Sequence, residues 1–373
     1  MDDTPSRSGK FSPILGLPLD DDPVPSPAEL RAAATFRLSV IVPARNEERN
    51  LPDCLTSLVS QSDDFFLLGR DWELIVVDDG STDQTRELAQ ATGGAQVLAA
   101  PALEKLEFTG KNSACWFGAE QAKGQWLLFT DADTVHEPGD LLRALHEAEK
   151  CGASLLSYSP RQIVSGFWQR ALMPLIFSEL ALVYSPAEVN DPGRRVAAAN
   201  GQFLMVDRHT YYAIGGHKAV GREVLEDVEL ARKVKHSKRV IRFRYAPDAL
   251  STRMYRGLGD MVDGWTKNLA LLFPHALSLA AWRLLDLLLL LLPLVLIPLH
   301  YLVFWQQGVI VLIWVRTLIR FYSRVAKSNF SALDCAVSPL ALPLFVGLLV
   351  RSWMQHRFFH QVAWKGREYR LNR

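Results

Sequence analysis

Cysteine is scarce in this chain: four residues in 373, at Cys54, Cys115, Cys151 and Cys335, with no C-x-x-C pair among them. That spacing excludes a disulfide framework and a zinc site built from paired thiolates, and it points to a soluble part kept in the cytosol. An excess of charge of one sign is missing too. With 41 Lys and Arg against 40 Asp and Glu, the formal net charge is +1, which argues against a basic nucleic-acid binder and against an acidic disordered protein. The opening stretch "MDDTPSRSGKFSPILGLPLDDDPVPSPAEL" has no apolar run of signal-peptide length and is rich in Pro, Ser and Asp. The expectation for residues 1–36 is a disordered lead-in.

What is present divides by solvent preference. From Leu38 to about Ser251, short β-type runs alternate with helix-period segments. "RLSVIVPA", "WELIVVDD", "QVLAA", "QWLLFTD", "SLLSYSP" and "RVIRFRYAP" each stop at Ala, Pro or Asp, and "EERNLPDCLTSLVSQ", "STDQTRELAQAT" and "PGDLLRALHEAEKCG" lie between several of them. This alternation predicts an α/β fold with a mostly parallel central sheet covered by helices, whose ligands sit at the carboxyl ends of the strands. A domain over 37–268 is expected.

Residues 269–373 read as a membrane region of two to three apolar segments, at about 284–304, 306–322 and 335–353, with a basic tail. "LLDLLLLLLPLVLIPLHYLVF" carries one acid, Asp286. Arg316, Arg320, Arg324 and Lys327 precede the third segment, and Arg351, Arg357, Lys365, Arg367, Arg370 and Arg373 follow or end it. If both clusters stay inside, the third segment does not fully cross. The apolar stretch Phe167 to Tyr184 allows two readings: a core helix broken at Pro174, or a helix lying in the membrane interface over 167–184.

Three strand ends carry unusual polar groups: "PARNE", "DDGSTD" and "DAD". Side chains two apart on an extended segment share a face, so Asp131 and Asp133 can direct carboxylate oxygens to one point, which suits a hard cation such as Mg2+ or Mn2+. Asp78 and Asp79 end another strand, where a carboxylate can accept from a nucleobase N–H or a ribose hydroxyl. Each pair read alone is a solvated turn with a helix cap. Glu226 and Asp227 open a helix that turns Val228, Ala231 and Val234 inward; acids in a first turn are favoured by the helix dipole whatever the function.

The ordered set "SVIVPARNEE", "ELIVVDDGSTD", "FTGKNSA", "LLFTDADTV", "NGQFLMVDR" and "VLEDVELARKVK" resembles the family 2 glycosyltransferases of GT-A fold. With its membrane tail the chain looks like lipid-directed members of the ceramide glucosyltransferase, hopanoid-associated and carotenoid types. The resemblance implies that Pro43, Ala44, Asn46 and Glu47 lie around the nucleotide, with Asp79 and Asp78 on the uracil or ribose of a UDP-sugar. It implies that Asp131 approaches ribose and metal, that Asp133 ligates the metal, that Lys111 stands near the donor phosphates, and that Asp227 is the general base. An inverting, metal-dependent transfer of one sugar to a lipid or lipid-linked acceptor follows.

On the acceptor side, four residues are candidates: Glu226, His217 in the glycine-flanked "IGGHKAV", Trp265 and Lys267. His136 reads as an exposed histidine at a helix start. Processive synthases of the family carry Q-x-x-R-W after the base motif, and "DMVDGWTKNLA" stands here instead, which disfavours polymerisation. The implied setting is a multi-pass protein of the cell (inner) membrane with a cytoplasmic catalytic domain; no nucleic acid and no protein partner are inferred. The competing readings are a membrane-bound nucleotidyltransferase, which would release pyrophosphate, and a non-catalytic nucleotide-binding membrane protein.

Overall fold

In the computed structural model the described residues are 29, 34–102, 108–299, 303–359, 361–364 and 367–370. Most of the expected lead-in over 1–36 lies outside them, as do residues 300–302 and Lys365 and Arg373 of the basic tail. The chain forms two compact units, Met1–Arg161 with Pro186–Thr252, and Gln162–Ser185 with Arg253–Arg373.

The first unit is built on β1 (Phe36–Ala44), β2 (Trp72–Asp78), β3 (Ala95–Ala99), β4 (Gly124–Phe129), β5 (Thr134–His136), β6 (Leu155–Ser159), β7 (Arg161–Gln162, of which Arg161 belongs to this unit), β8 (Leu204–Asp207), β9 (Ile241–Tyr245) and β10 (Leu250–Thr252). Seven strands form one sheet in the order β3-β2-β1-β4-β8-β6-β9. β1 pairs parallel with β2 and β4, β2 with β3, and β6 with β9; only β8 runs antiparallel to its neighbours. All six strands expected from the sequence are present. β8 escaped because four residues, LMVD, are too short to show a period.

Alternation along β1 explains the layers. Val40 and Val42 join one core with Leu51, Leu55, Leu58, Leu141 and Leu145, whereas Ile41 points to the other face. There the helix Gly110–Gln121 comes so close that a Cβ on Gly118 would stand 2.7 Å from Ile41. The helix Asp140–Cys151 buries Leu141, Ala144, Leu145 and Ala148, one stripe at helical spacing, and ends on Gly152 in the left-handed region. Register sets the strand ends level: Ala44 faces Asp78, and Thr130, just past β4, donates its N–H to the Ile41 carbonyl at 3.1 Å.

The second unit is helical, with Phe167–Val183, Leu258–Leu272, Ala276–Leu296, Phe304–Val325 and Leu342–Met354 as its main elements. Two sequence expectations change here. The helix Phe167–Val183 runs unbroken through Pro174, and residues 162–185 and 253–268 belong to this unit because Leu172, Leu175, Ile176, Met261 and Trp265 share its core with Phe321, Phe345 and Leu349. By length and composition, Phe167–Asn190, Ala276–Leu296 and Ala332–Phe358 are apolar enough to cross a membrane. The span expected at 284–304 starts earlier, at Ala276. The arginine-bearing helix Phe304–Val325 is not among the three. Its Arg320 and Arg324 bond to Asp286 of the helix Ala276–Leu296, which Arg283 also holds at 2.6 Å. Burying a carboxylate among apolar helices is costly unless cations compensate it, and this cluster does so.

Candidate active site

The loops after β1 and β2 are laced together. Asn46 adopts φ +53°, its N–H donates to Ser81 Oγ, and its Oδ1 accepts from the Thr82 N–H at 2.9 Å. The Glu47 N–H donates to Thr85 Oγ1 at 2.7 Å, and Arg45 donates to the Asp79 carbonyl. Asp78 and Asp79 are both buried, and Asp78 Oδ1 accepts from the Ser81 N–H, which closes the "DDGS" turn. Asn46 and Asp78 thus spend hydrogen bonds on shaping this rim, while Pro43 reaches the adjoining pocket.

Beyond β4 the "DAD" turn begins. Cys54, buried beneath it, is pushed up first by burial and then by the charges of Asp133, Asp131 and Glu47. Among the described residues no three His, Cys, Asp or Glu side chains are grouped as a metal centre. The donor set, two hard oxygen ligands on one turn, fits Mg2+ or Mn2+ that leaves most of its shell to phosphate and water.

The pocket itself is lined by Lys111, Asp131, Gly201, His217, Glu226 and Asp227, together with Thr130 and Cys115. Thr109 caps the helix Gly110–Gln121 by accepting from the Asn112 N–H, and this sets Lys111 in the first turn. Lys111 Nζ lies 2.7 Å from Asp131 Oδ1 and 2.9 Å from Glu226 Oε1. It is therefore not the solvated loop lysine that its type favours. Burial opposes its charge, but Asp131 and Glu226 more than offset this and hold the ammonium well above the usual lysine range. Burial also raises Asp131, against the pull of Lys111, while for Glu226 the pull of Lys111 wins over burial and lowers it.

Asp227, beside this triad, is pushed up to about 7, first by burial and then by Glu226. Its Oδ2 accepts from the Gly201 N–H and its Oδ1 from the Val228 N–H, both at 2.8 Å. Val228, Ala231 and Val234 are buried as their spacing requires.

Two residues of the quoted motifs were missed as site residues. A Cβ on Gly201 would stand 2.9 Å from Lys111 Nζ, 3.5 Å from Glu226 and 3.6 Å from Asp227, so only glycine leaves this cradle open. Asn112 is fully buried and donates to the carbonyls of Val220, Gly221 and Glu223, tying the Lys111 turn to the segment that leads into Glu226. The "GKN" and "NGQ" triplets were the available signal, but nothing in one sequence says which carbonyls an asparagine meets.

His136 differs from expectation. It is buried on β5, not exposed at a helix start, with Nδ1 at 2.9 Å from Asp140 Oδ2 and Nε2 at 3.1 Å from Thr130 Oγ1, and Thr130 donates to the Gln202 carbonyl. The chain of bonds braces the turn before Asp131 against the turn that holds Asp227. His217 is buried too, on a 3-10 turn over Gly216–Val220, not in an open loop. Trp265 and Lys267 belong to the second unit. There Trp265 is buried against Tyr255 and Phe177, and the Lys267 carbonyl receives His356 Nε2 at 2.8 Å.

Comparison with known proteins gives this geometry a context. The 4,4'-diaponeurosporenoate glycosyltransferase of Staphylococcus aureus (strain USA300) is 27% identical over 344 residues, covering 90% of this chain and 89% of the relative. A mannosyltransferase from Pyrobaculum calidifontis, solved with GDP-Man and Mn2+, shares the fold with a TM-score of 0.52 and 16% identity, over 87% of each chain. The family described as Glycosyl transferase family 2 matches residues 39–228. The chain therefore belongs to the family 2 glycosyltransferases and is a GT-A-fold glycosyltransferase with three helices apolar and long enough to cross a membrane.

Proposed function

We propose that the protein transfers one sugar, with inversion, from a nucleotide-sugar, UDP-linked, to a lipid or lipid-linked acceptor at the membrane. The observation that carries this reading is the placement of Asp227, titrating near neutrality, beside the Lys111–Asp131–Glu226 triad in one pocket. A carboxylate with a pKa near the working pH is suited to general-base work.

In this scheme Asp227 takes the proton of the acceptor hydroxyl as its oxygen bonds to the anomeric carbon. The bond from that carbon to the diphosphate oxygen breaks on the opposite face, and its electron pair leaves with UDP. Gly201 holds Asp227 in place through its N–H. Lys111 exchanges carboxylate contacts for the departing diphosphate and stabilises charge that grows there. Asp131 and Asp133 would hold a divalent cation, which supplies Lewis-acid neutralisation of the diphosphate when bound. Asp78 and Asp79 bound the nucleoside side of the crevice. The carotenoid-type acceptor of the S. aureus relative and the three apolar helices support a lipid acceptor and a multi-pass placement in the cell membrane.

The test uses full-length protein in detergent with Mn2+, UDP-glucose, UDP-GlcNAc or GDP-mannose, and lipid acceptors, reading release of nucleoside diphosphate. Acceptor-dependent UDP release that falls at least ~100-fold in Asp227→Asn is expected. Undiminished release in that variant would remove the base assignment. Failure to bind any nucleotide would end the enzyme reading, and turnover with GDP-mannose alone would replace the uridine assignment.

A further inference from the structure

His217 takes no part in the scheme above, yet its side chain is only 2% exposed and its ring lines the same pocket as Lys111, Glu226 and Asp227. The "IGGH" sequence explains how it gets there. Gly215 and Gly216 both have positive φ, +81° and +49°, and a Cβ on Gly216 would stand 2.6 Å from the Tyr211 ring and 2.8 Å from Trp116. Two glycines therefore let the chain turn tightly and press His217 against Tyr211 and the edge of Phe129, whose centroid is 4.6 Å away.

The hydrogen bonds settle which ring nitrogen carries the proton. The Tyr211 phenol oxygen accepts the backbone N–H of His217 at 3.1 Å and lies 2.9 Å from His217 Nδ1. Tyr211 is fully buried, and among the described residues its hydroxyl has no other acceptor than Nδ1. If Nδ1 carried a proton, two donors would face each other across that contact and the phenolic hydrogen would be left buried without a partner, which is the costly arrangement. So the O–H donates to Nδ1, and the neutral imidazole carries its hydrogen on Nε2. Burial pushes the imidazole down to about 3, with Glu226 pulling the other way, so this neutral form holds across the working pH range. Nε2 has no protein partner among the described residues.

We infer that His217 is a substrate-binding residue whose Nε2–H donates to an oxygen of the bound sugar or of the acceptor, with Tyr211 as the positioning residue that fixes the tautomer. The inference rests on the transferase reading for its ligand, though not for its tautomer. A neutral donor here suits a hydroxyl or carboxyl oxygen, and it cannot compete with Asp227 for the proton removed from the acceptor. It discriminates by leaving a buried N–H unsatisfied when the matching oxygen is absent.

The tautomer is tested first, on full-length protein labelled with 15N-histidine. The resonance that disappears in His217→Gln is expected to show a protonated Nε2 and an unprotonated Nδ1, unchanged from pH 5.5 to 8.5, and Tyr211→Phe is expected to mix the tautomers. A protonated Nδ1, or titration within that range, would overturn the inference. The second arm measures transfer from UDP-glucose to a carotenoid acid or its alcohol. His217→Phe is expected to lower kcat/KM about 10- to 100-fold, the range of one lost buried hydrogen bond, and His217→Gln, which keeps an amide donor, to recover most of it. A rise confined to the KM of UDP-glucose assigns the oxygen to the sugar; one confined to the acceptor assigns it to the lipid. Equal losses in the Phe and Gln variants, or none, would refute a binding role. If wild type turns over none of these substrates, the transferase reading is what fails, and the resonance still decides the tautomer.

Discussion

The pocket makes the pH profile of transfer a quantitative prediction. With Asp227 at about 7, roughly a tenth of the base is ionised at pH 6 and nine-tenths at pH 8, so kcat/KM for a hydroxyl acceptor should rise about tenfold over those two units and level off. Glu226 and Asp227 lie within 3.5 and 3.6 Å of one point above Gly201, which places the two oxygens no more than about 7 Å apart. At an effective dielectric of about 20–40, a unit charge at that separation is worth roughly 1–2 kcal/mol, or about one pH unit. Glu226→Gln should therefore move the acid limb down by about one unit. Lys111→Met should move it up, because Lys111 is the largest of the influences that lower Asp227, ahead of the Val228 and Gly201 N–H groups. Stability runs the other way. The carboxyl titrates higher in the folded chain than its ordinary 3.8, so the folded state holds an extra proton between about pH 4 and 7, and stability falls as pH rises through that window. Asp227→Asn should be inactive yet melt higher than wild type at pH 8. The assay is initial rate of UDP release from pH 5 to 9 in detergent. Shifts of the same sign in the two variants would refute the electrostatic account. A flat profile with a carboxylic acid acceptor, beside a rising one with an alcohol, would follow from the same chemistry, since an acid arrives already ionised.

Three further outcomes follow from the geometry. Gly201→Ala places a methyl group 2.9 Å from a flexible ammonium, so the protein should fold with an unchanged melting temperature while Lys111 is displaced and kcat falls at least ~10-fold; full activity would contradict the cradle. Asn112→Ala removes the buried amide that donates to the carbonyls of Val220, Gly221 and Glu223, of which Val220 and Gly221 keep the N–H groups of Glu223 and Thr109, and should cost about 1–2 kcal/mol by thermal melting, with Asn112→Asp no better because a carboxylate cannot donate. In the helical unit, Asp286→Asn leaves Arg283, Arg320 and Arg324 with too little negative charge. A loss of about 3–5 kcal/mol in detergent stability is expected, and less than ~1 kcal/mol would show the cluster to be dispensable.

Sequence and fold contributed differently at different residues. Asp131 and Asp133 were legible because a D-x-D after an apolar run is a local pattern, and Glu226 and Asp227 because acids opening an amphipathic helix are local too. His136 was misread as exposed because its burial depends on Asp140, Thr130 and Phe203 closing around it. Trp265 was read as an acceptor contact, and its environment is a core of residues far apart in the chain.

By itself the sequence determined the six strands, the strand-end acids, the apolar helices and, through six ordered motifs, the family. These follow from periodicity and short-range chemistry, which act within a dozen residues. Only the tertiary structure decided that one lysine bridges Asp131 and Glu226, that Gly201 must lack a side chain, that His217 carries its hydrogen on Nε2, and that the Phe167–Val183 helix packs with the C-terminal helices. Those properties are set by burial and by partners more than a hundred residues away in the chain, and desolvation and Coulomb forces act on the folded arrangement rather than on the order of residues.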